Sequence, residues 1–194
     1  KYYLRISDKL MVNATLQIPE VIRVSDEVEF NISGDVPDGL KVYVDGMIQS
    51  ISNKKIHYNA LKAGLHNVQI VFGETGDYYG FNNTVSFEVV KNDVNIFINL
   101  SKTLFVGENI TINPVTESDG KINITVNGQP INSSYVIPFK GAFVIEVESA
   151  ETEMYKKSVN TTTFISQKYP TNIALNVSAS KSGEKSKVSV NITN

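Results

Sequence analysis

The 194-residue chain has no cysteine and no tryptophan, two histidines, six prolines and a formal charge of only −2. Without cysteine there is no disulfide, no thiolate metal site and no cysteine nucleophile. The missing bridges leave two readings open: a chain kept in a reducing compartment, or an exported prokaryotic chain whose packed core suffices alone. The two histidines, His57 and His66, form no pair at ligand spacing, so neither a histidine metal site nor a histidine-based catalyst has its partners. Charges of both signs are interspersed, which gives no electrostatic case for nucleic acid. No apolar run approaches the roughly 18 residues of a membrane span. The chain opens on Lys1 and carries no signal peptide; it reads as an internal fragment of a longer protein, so missing targeting signals carry no information.

What is present is one pattern written twice and begun a third time. VSDEVEFNIS from Val24 matches VGENITINPV from Val106, and SGEKSKVSVNIT follows near Ser182. Each is a short turn holding an acid (Asp26, Glu108, Glu184), followed by a strand that alternates apolar and polar residues. KVYVDGMIQSI matches INITVNGQPI, and LKAGLHNVQIVF (Leu61 to Phe72) matches IPFKGAFVIEVE (Ile137 to Glu148). From Val24 to Val106 the offset is 82 residues, and from Leu61 to Ile137 it is 76. A period that long is a small domain rather than a solenoid turn. Asparagine is abundant at 20 residues, alongside much Ile, Lys, Tyr and Val, the bias an AT-rich genome produces.

The alternation has period two throughout, as in Val28, Phe30 and Ile32 or Ile122, Ile124 and Val126, which marks strands with one face buried and one wet. Asp45-Gly46 and Asn127-Gly128 are hairpin signals, because a type I′ turn needs positive φ at both central residues. Short strands at this spacing predict an all-β chain of tandem two-sheet antiparallel β-sandwiches arranged end to end. The complete repeats are placed at 11–91 and 92–168, residues 1–10 at the last strand of a preceding repeat, and 169–194 at the first strands of a following one. The joints, Lys91-Asn92-Asp93 and Lys168-Tyr169-Pro170, lack the composition of a flexible tether.

The order V-G-E-N-I-T-I (Val106–Ile112), V-N-G (Val126–Gly128), Leu61–Phe72 and G-D-Y-Y-G-F (Gly76–Phe81) resembles the bacterial immunoglobulin-like (Big) repeats of large prokaryotic surface proteins. It is most similar to those of adhesin-like proteins of methanogenic archaea. The resemblance implies a seven-stranded sandwich in an array displayed outside the cell, and it implies no catalytic residue. The second copy departs where GETGDYYG becomes SAETEMYK, with Glu153 set against the Asp and Tyr155 against Tyr79.

Ten asparagines stand in N-x-S/T: Asn13, Asn31, Asn82, Asn99, Asn109, Asn123, Asn132, Asn160, Asn176 and Asn191. With 20 Asn and 31 Ser plus Thr, chance supplies about three. A heavily N-glycosylated exterior is one reading, and a lineage that favours Asn and Thr as polar strand residues is the other. Tyr78-Tyr79 and Tyr155 read as tyrosine-corner fixtures with hydroxyls bonded to backbone rather than as sugar-stacking platforms. Asp35, Asp38, Glu74 and Asp77 read as solvated turn acids, since no D-x-D-x-D-G calcium run occurs. His57 and His66 read as surface residues, and the lysines occupy wet positions that do not suit an internal Lys–Asn cross-link.

No catalytic residue, cofactor or metal is expected. The leading reading is a non-enzymatic repeat segment of a cell-surface adhesin-like protein, acting as spacer, stalk or adhesion module. The alternative is a surface-layer or filament subunit assembling by strand complementation, and an accessory domain of a carbohydrate-active enzyme comes third. The partners expected are neighbouring repeats of the same protein and a host or neighbouring-cell surface or further copies of the chain. Polar outer faces, such as those of Glu29, Asn31, Asn123 and Thr125, disfavour side-by-side packing of repeats. The radius of gyration from small-angle scattering is therefore expected well above the roughly 16 Å of a compact body of this length; a value near that figure rules the extended arrangement out.

Overall fold

The computed structural model describes residues 8–34, 36–100, 103–178, 181–183 and 185–193, and no helix occurs among them. None is therefore long and apolar enough to cross a membrane. The chain divides into two compact units, Lys1–Asp93 with Glu151–Lys156, and Val94–Ala150 with Lys157–Asn194.

In the first unit the strands are β1 (Ala14–Gln17), β2 (Ile22–Arg23), β3 (Glu27–Gly34), β4 (Lys41–Val44), β5 (Met47–Gln49), β6 (Lys55–Asn59), β7 (Gly64–Phe72) and β8 (Phe81–Val90). They form two sheets, β1-β3-β6 and β2-β8-β7-β4-β5. Every pairing is antiparallel except β2 with β8, which is parallel through Ile22 to Val89 and Arg23 to Val90. The first strand is thus divided between the sheets, and with β1 and β2 taken as one strand the count is seven. This is an immunoglobulin-like sandwich. Its core follows from the alternation: Phe30 and Ile32 of β3, Val42 and Val44 of β4, Ile56 of β6, Val68 and Ile70 of β7, and Phe87 and Val89 of β8 are all buried. Phe30 is fully enclosed, stacked on Tyr58 at 5.5 Å and meeting Phe87 edge-on at 5.2 Å.

The second unit repeats the plan with β9 (Ile96–Phe97), β10 (Leu104–Phe105), β11 (Asn109–Thr111), β12 (Val115–Thr116), β13 (Ile122–Val126), β14 (Gln129–Ile131), β15 (Ser134–Val136), β16 (Gly141–Ser149) and β17 (Ser158–Gln167). The larger sheet, β10-β17-β16-β13-β14, has the same order, again with a parallel first pairing. The smaller sheet is broken into β9-β12 and β11-β15. Pro114 explains the break. It stands where Ile32 stands in the first repeat, and Ile32 donates its N–H to the Lys54 carbonyl at 2.8 Å. Proline has no N–H to donate, so the pairing with β15 is not carried past it, while Val115 and Thr116 still pair with β9. Two further strands, β18 (Asn172–Val177) and β19 (Val188–Thr193), pair antiparallel into a ribbon.

The acid that recurs in the sequence has a structural cause. Asp26 accepts the Arg23 N–H at 2.7 Å, and Glu108 accepts the Phe105 N–H at 2.8 Å. Between them the backbone turns through positive φ, 72° at Ser25 and 91° at Gly107, and the same conformation recurs at Gly183 with 94°. Glu184 itself lies outside the described residues, as does residues 1–7 of the expected preceding strand. Beside this turn, Ser25 donates to the Ala60 carbonyl and Ala60 to Asp26; Gly107 and Ile137 make the corresponding pair with Glu108. Ala60 and Ile137 are therefore equivalent, a separation of 77 residues. The sequence pairing of Leu61 with Ile137 is off by one, because Leu61 is 82 % exposed and it is the small Ala60 that fills the core position.

Both hairpin turns take the expected form, with φ of 48° and 80° at Asp45-Gly46 and 49° and 76° at Asn127-Gly128. The apolar residues flanking the joints belong to the units themselves: Val12 is buried in the first core, Val94 packs on the second, and Tyr169 stacks on Phe105 at 4.4 Å. Since Phe30 is at the centre of the first core, Phe30→Ala is expected to lower the stability of that repeat by about 3–5 kcal/mol, measured by urea unfolding. A loss under about 1 kcal/mol would contradict the packing described.

Candidate functional site

All ten sequon asparagines are exposed. Asn31 lies on β3, Asn82 on β8, Asn109 on β11, Asn123 on β13 and Asn160 on β17, each on the polar phase of its strand. Asn176 and Asn191 lie on the ribbon, and Asn13, Asn99 and Asn132 lie outside the strands. They are not equivalent chemically. The Asn160 side-chain amide donates to the Ile96 carbonyl at 2.6 Å, while Asn82 and Asn109 use their oxygens, accepting from Gln69 and Ser134.

The tyrosine segments hold a turn rather than a hydroxyl anchor. Thr75 Oγ1 accepts the Tyr78 N–H at 3.2 Å while the Thr75 N–H donates to the Tyr78 carbonyl; Thr152 and Tyr155 make the same pair. Tyr78 pairs in parallel with Leu10, as Tyr155 does with Asn92. Tyr155 therefore corresponds to Tyr78 and not to Tyr79, Glu153 to Gly76, and Met154 to Asp77. E-T-x-x-Y was the signal in both copies, hidden by the one-residue error in offset. Tyr78 is half-buried against Phe72 and Tyr79 is exposed beside Lys9, so the two rings do not form a platform.

Of the turn acids, Asp35 lies outside the described residues, Asp38 and Asp77 are exposed, and Glu74 is paired with Lys9. Among the described residues no group of three or more His, Asp or Glu side chains is arranged to hold a metal ion. Lys55, Lys91, Lys156 and Lys157 pair with Glu29, Glu151, Asp93 and Glu148 at the surface. Each of these carboxyls is held below its usual pKa, first of all by the lysine that donates to it. Exposed pairs of this kind contribute little to stability.

The surface reading of His66 is overturned as well. His57 is on the surface, but His66 on β7 is buried, 9 % exposed. Its Nδ1 lies 2.6 Å from Asp45 Oδ2 and its Nε2 lies 2.9 Å from the Lys62 carbonyl oxygen. The ring stacks on Phe87 at 5.5 Å, and the Tyr58 hydroxyl is 3.5 Å from Nδ1. The Asp45 side chain also accepts the Asn67 N–H at 2.9 Å. Burial pushes the Asp45 carboxyl up, but the bonds from Asn67 and His66 outweigh it and the pKa is lowered. Burial, reinforced by the Asp45 charge, raises the Tyr58 hydroxyl.

In the second repeat the same place is apolar. Phe143 stands for His66 and stacks on Phe164 at 4.9 Å; Asn127 stands for Asp45 and accepts the Val144 N–H at 2.8 Å. The carbonyl of Phe139, equivalent to that of Lys62, is met by Ser166 Oγ at 2.8 Å. A lone histidine on an apolar phase carries no sign of this in one copy; comparing the copies at the correct offset reveals it.

A carboxyl with a lowered pKa stabilises above its unfolded value, and that contribution disappears as pH falls through the folded value. The first repeat is therefore expected to lose stability below about pH 4 more steeply than an Asp45→Asn variant, followed by urea midpoint against pH. Parallel curves would remove Asp45 from the account.

No protein-family model matches the sequence, and no curated protein matches it. Solved multidomain structures are similar to it: the fibronectin(III)-like modules of Clostridium thermocellum CbhA, at 14% identity and TM-score 0.34 over 80% of this chain and 95% of that one. A titin fragment gives 11% and 0.47 over 86% and 70%, and the insect immune protein hemolin 12% and 0.35 over 81% and 47%. The strand order is what establishes the fold: an all-β chain of tandem immunoglobulin-like sandwiches.

Proposed function

We propose that this chain is a repeat segment of a prokaryotic cell-surface protein of the Big, adhesin-like kind, working as a non-enzymatic spacer or adhesion module. The observation that carries the reading is that one sandwich plan is built twice in succession, β1–β8 and β9–β17, with the chain running directly from one into the next. Duplication of a complete fold adds length and surface rather than chemistry. The ten exposed sequons suit an exterior, glycosylated surface, and the archaeal affinity suggested by the sequence fits modification at this motif. Its partners are then neighbouring repeats and another cell's surface.

A second reading, assembly into a surface layer or filament by strand addition, has one observation of its own. Ile173, Leu175 and Val177 of β18 and Val188, Val190 and Ile192 of β19 pair across the ribbon and are all more than half exposed. Size-exclusion chromatography with light scattering separates the two. A monomer at micromolar concentration supports the spacer, and concentration-dependent polymers support the filament. Mass spectrometry of protein from its native source is expected to find glycans on Asn13, Asn31 and Asn123; ten bare sequons would remove the glycoprotein part of the reading.

A further inference from the structure

At its two short contacts each His66 ring nitrogen faces an acceptor; the Tyr58 hydroxyl lies farther off, 3.5 Å from Nδ1. Asp45 Oδ2 stands at Nδ1 and the Lys62 carbonyl at Nε2. A carboxylate and an amide carbonyl only accept, and a neutral imidazole has only one N–H. Both contacts are made together only when each ring nitrogen carries a proton. A neutral ring sets a bare nitrogen against one of the two oxygens, and that contact is lost. The charge-assisted bond to Asp45 is the stronger of the two, so the contact given up is the one to Lys62.

We propose that His66 is a proton-operated fastener of the first repeat: the doubly protonated ring ties the β4–β5 turn, through Asp45, to the 60–64 connection, through the Lys62 carbonyl, and losing one proton frees that connection. Asp45 from the turn and Tyr58 from β6 are the titratable side chains facing the ring; β8 contributes Phe87 and the 60–64 connection only its backbone. The freed connection carries Leu61, 82 % exposed, and leads into Leu65, 74 % exposed. The second repeat has no such device. Phe143 needs no proton, and Ser166 holds the equivalent carbonyl at every pH in the physiological range. The substitutions come as a set: His66 with Val89 in one repeat, Phe143 with Ser166 in the other.

Hydrogen–deuterium exchange of the intact chain between about pH 5.5 and about pH 8 tests this after correction for intrinsic exchange. Opening is coupled to proton loss, so protection across residues 60–67 is expected to be full at the acid end. It should fall as pH rises, by at most about tenfold per pH unit for one proton. Protection across 137–144 should stay level. The double variant His66→Phe, Val89→Ser carries the second repeat's arrangement into the first and should flatten the response. Equal pH response in both segments, or an undiminished one in the variant, overturns the proposal. Should that variant not fold, ring nitrogen NMR of the unaltered chain at about pH 6 decides: two protonated nitrogens support the fastener, and a bare one overturns it.

Discussion

Each repeat is organised around a single carboxylate. Asp26 and Glu108 accept the N–H three residues earlier and so close the turn through which the chain leaves the parallel strand of one sheet and enters the central strand of the other. The backbone on either side of that turn exchanges two hydrogen bonds with Ala60 or Ile137, at the connection between the last strand of the small sheet and a central strand of the large one. Two crossings between the sheets therefore meet at one point. The alternating apolar residues supply the driving force for the sandwich, but this point fixes which strand begins where, and a one-residue slip there would turn every side chain to the wrong face.

The period-two alternation made the all-β class and the sandwich legible in the sequence, because burial of one face imposes that period directly, and Asp45-Gly46 and Asn127-Gly128 marked the hairpin turns. Polarity alone placed the sequon asparagines outward. What escaped was set by contacts distant in sequence. His66 looks like a surface polar residue until Asp45 and Lys62 are brought to it by the sheet. The tyrosine correspondence was misread because the copies differ in length between the hairpin and the next strand, and apolar pattern tolerates a slip that backbone bonding does not. The break at Pro114 was visible as a residue, yet its cost depends on Ile32 donating to Lys54 in the other copy.

The two repeats show that one backbone problem admits different side-chain solutions. A carbonyl at the start of the long strand needs a donor. The first repeat sends one from within the strand, the His66 ring, whose other nitrogen meets Asp45; the second sends a hydroxyl from the neighbouring strand and fills the vacated space with stacked rings, Phe143 on Phe164.

The parallel pairing of β2 with β8 and of β10 with β17 has a mechanical meaning. The chain arrives at one of these strands from the amino-terminal side and departs from the other toward the carboxyl-terminal side, and the two run in the same direction. Tension carried through the backbone pulls them oppositely along their common axis. The hydrogen bonds between them are then loaded together in shear instead of opening one after another as in a peeled hairpin. A repeat wired in this way resists being drawn out from its ends.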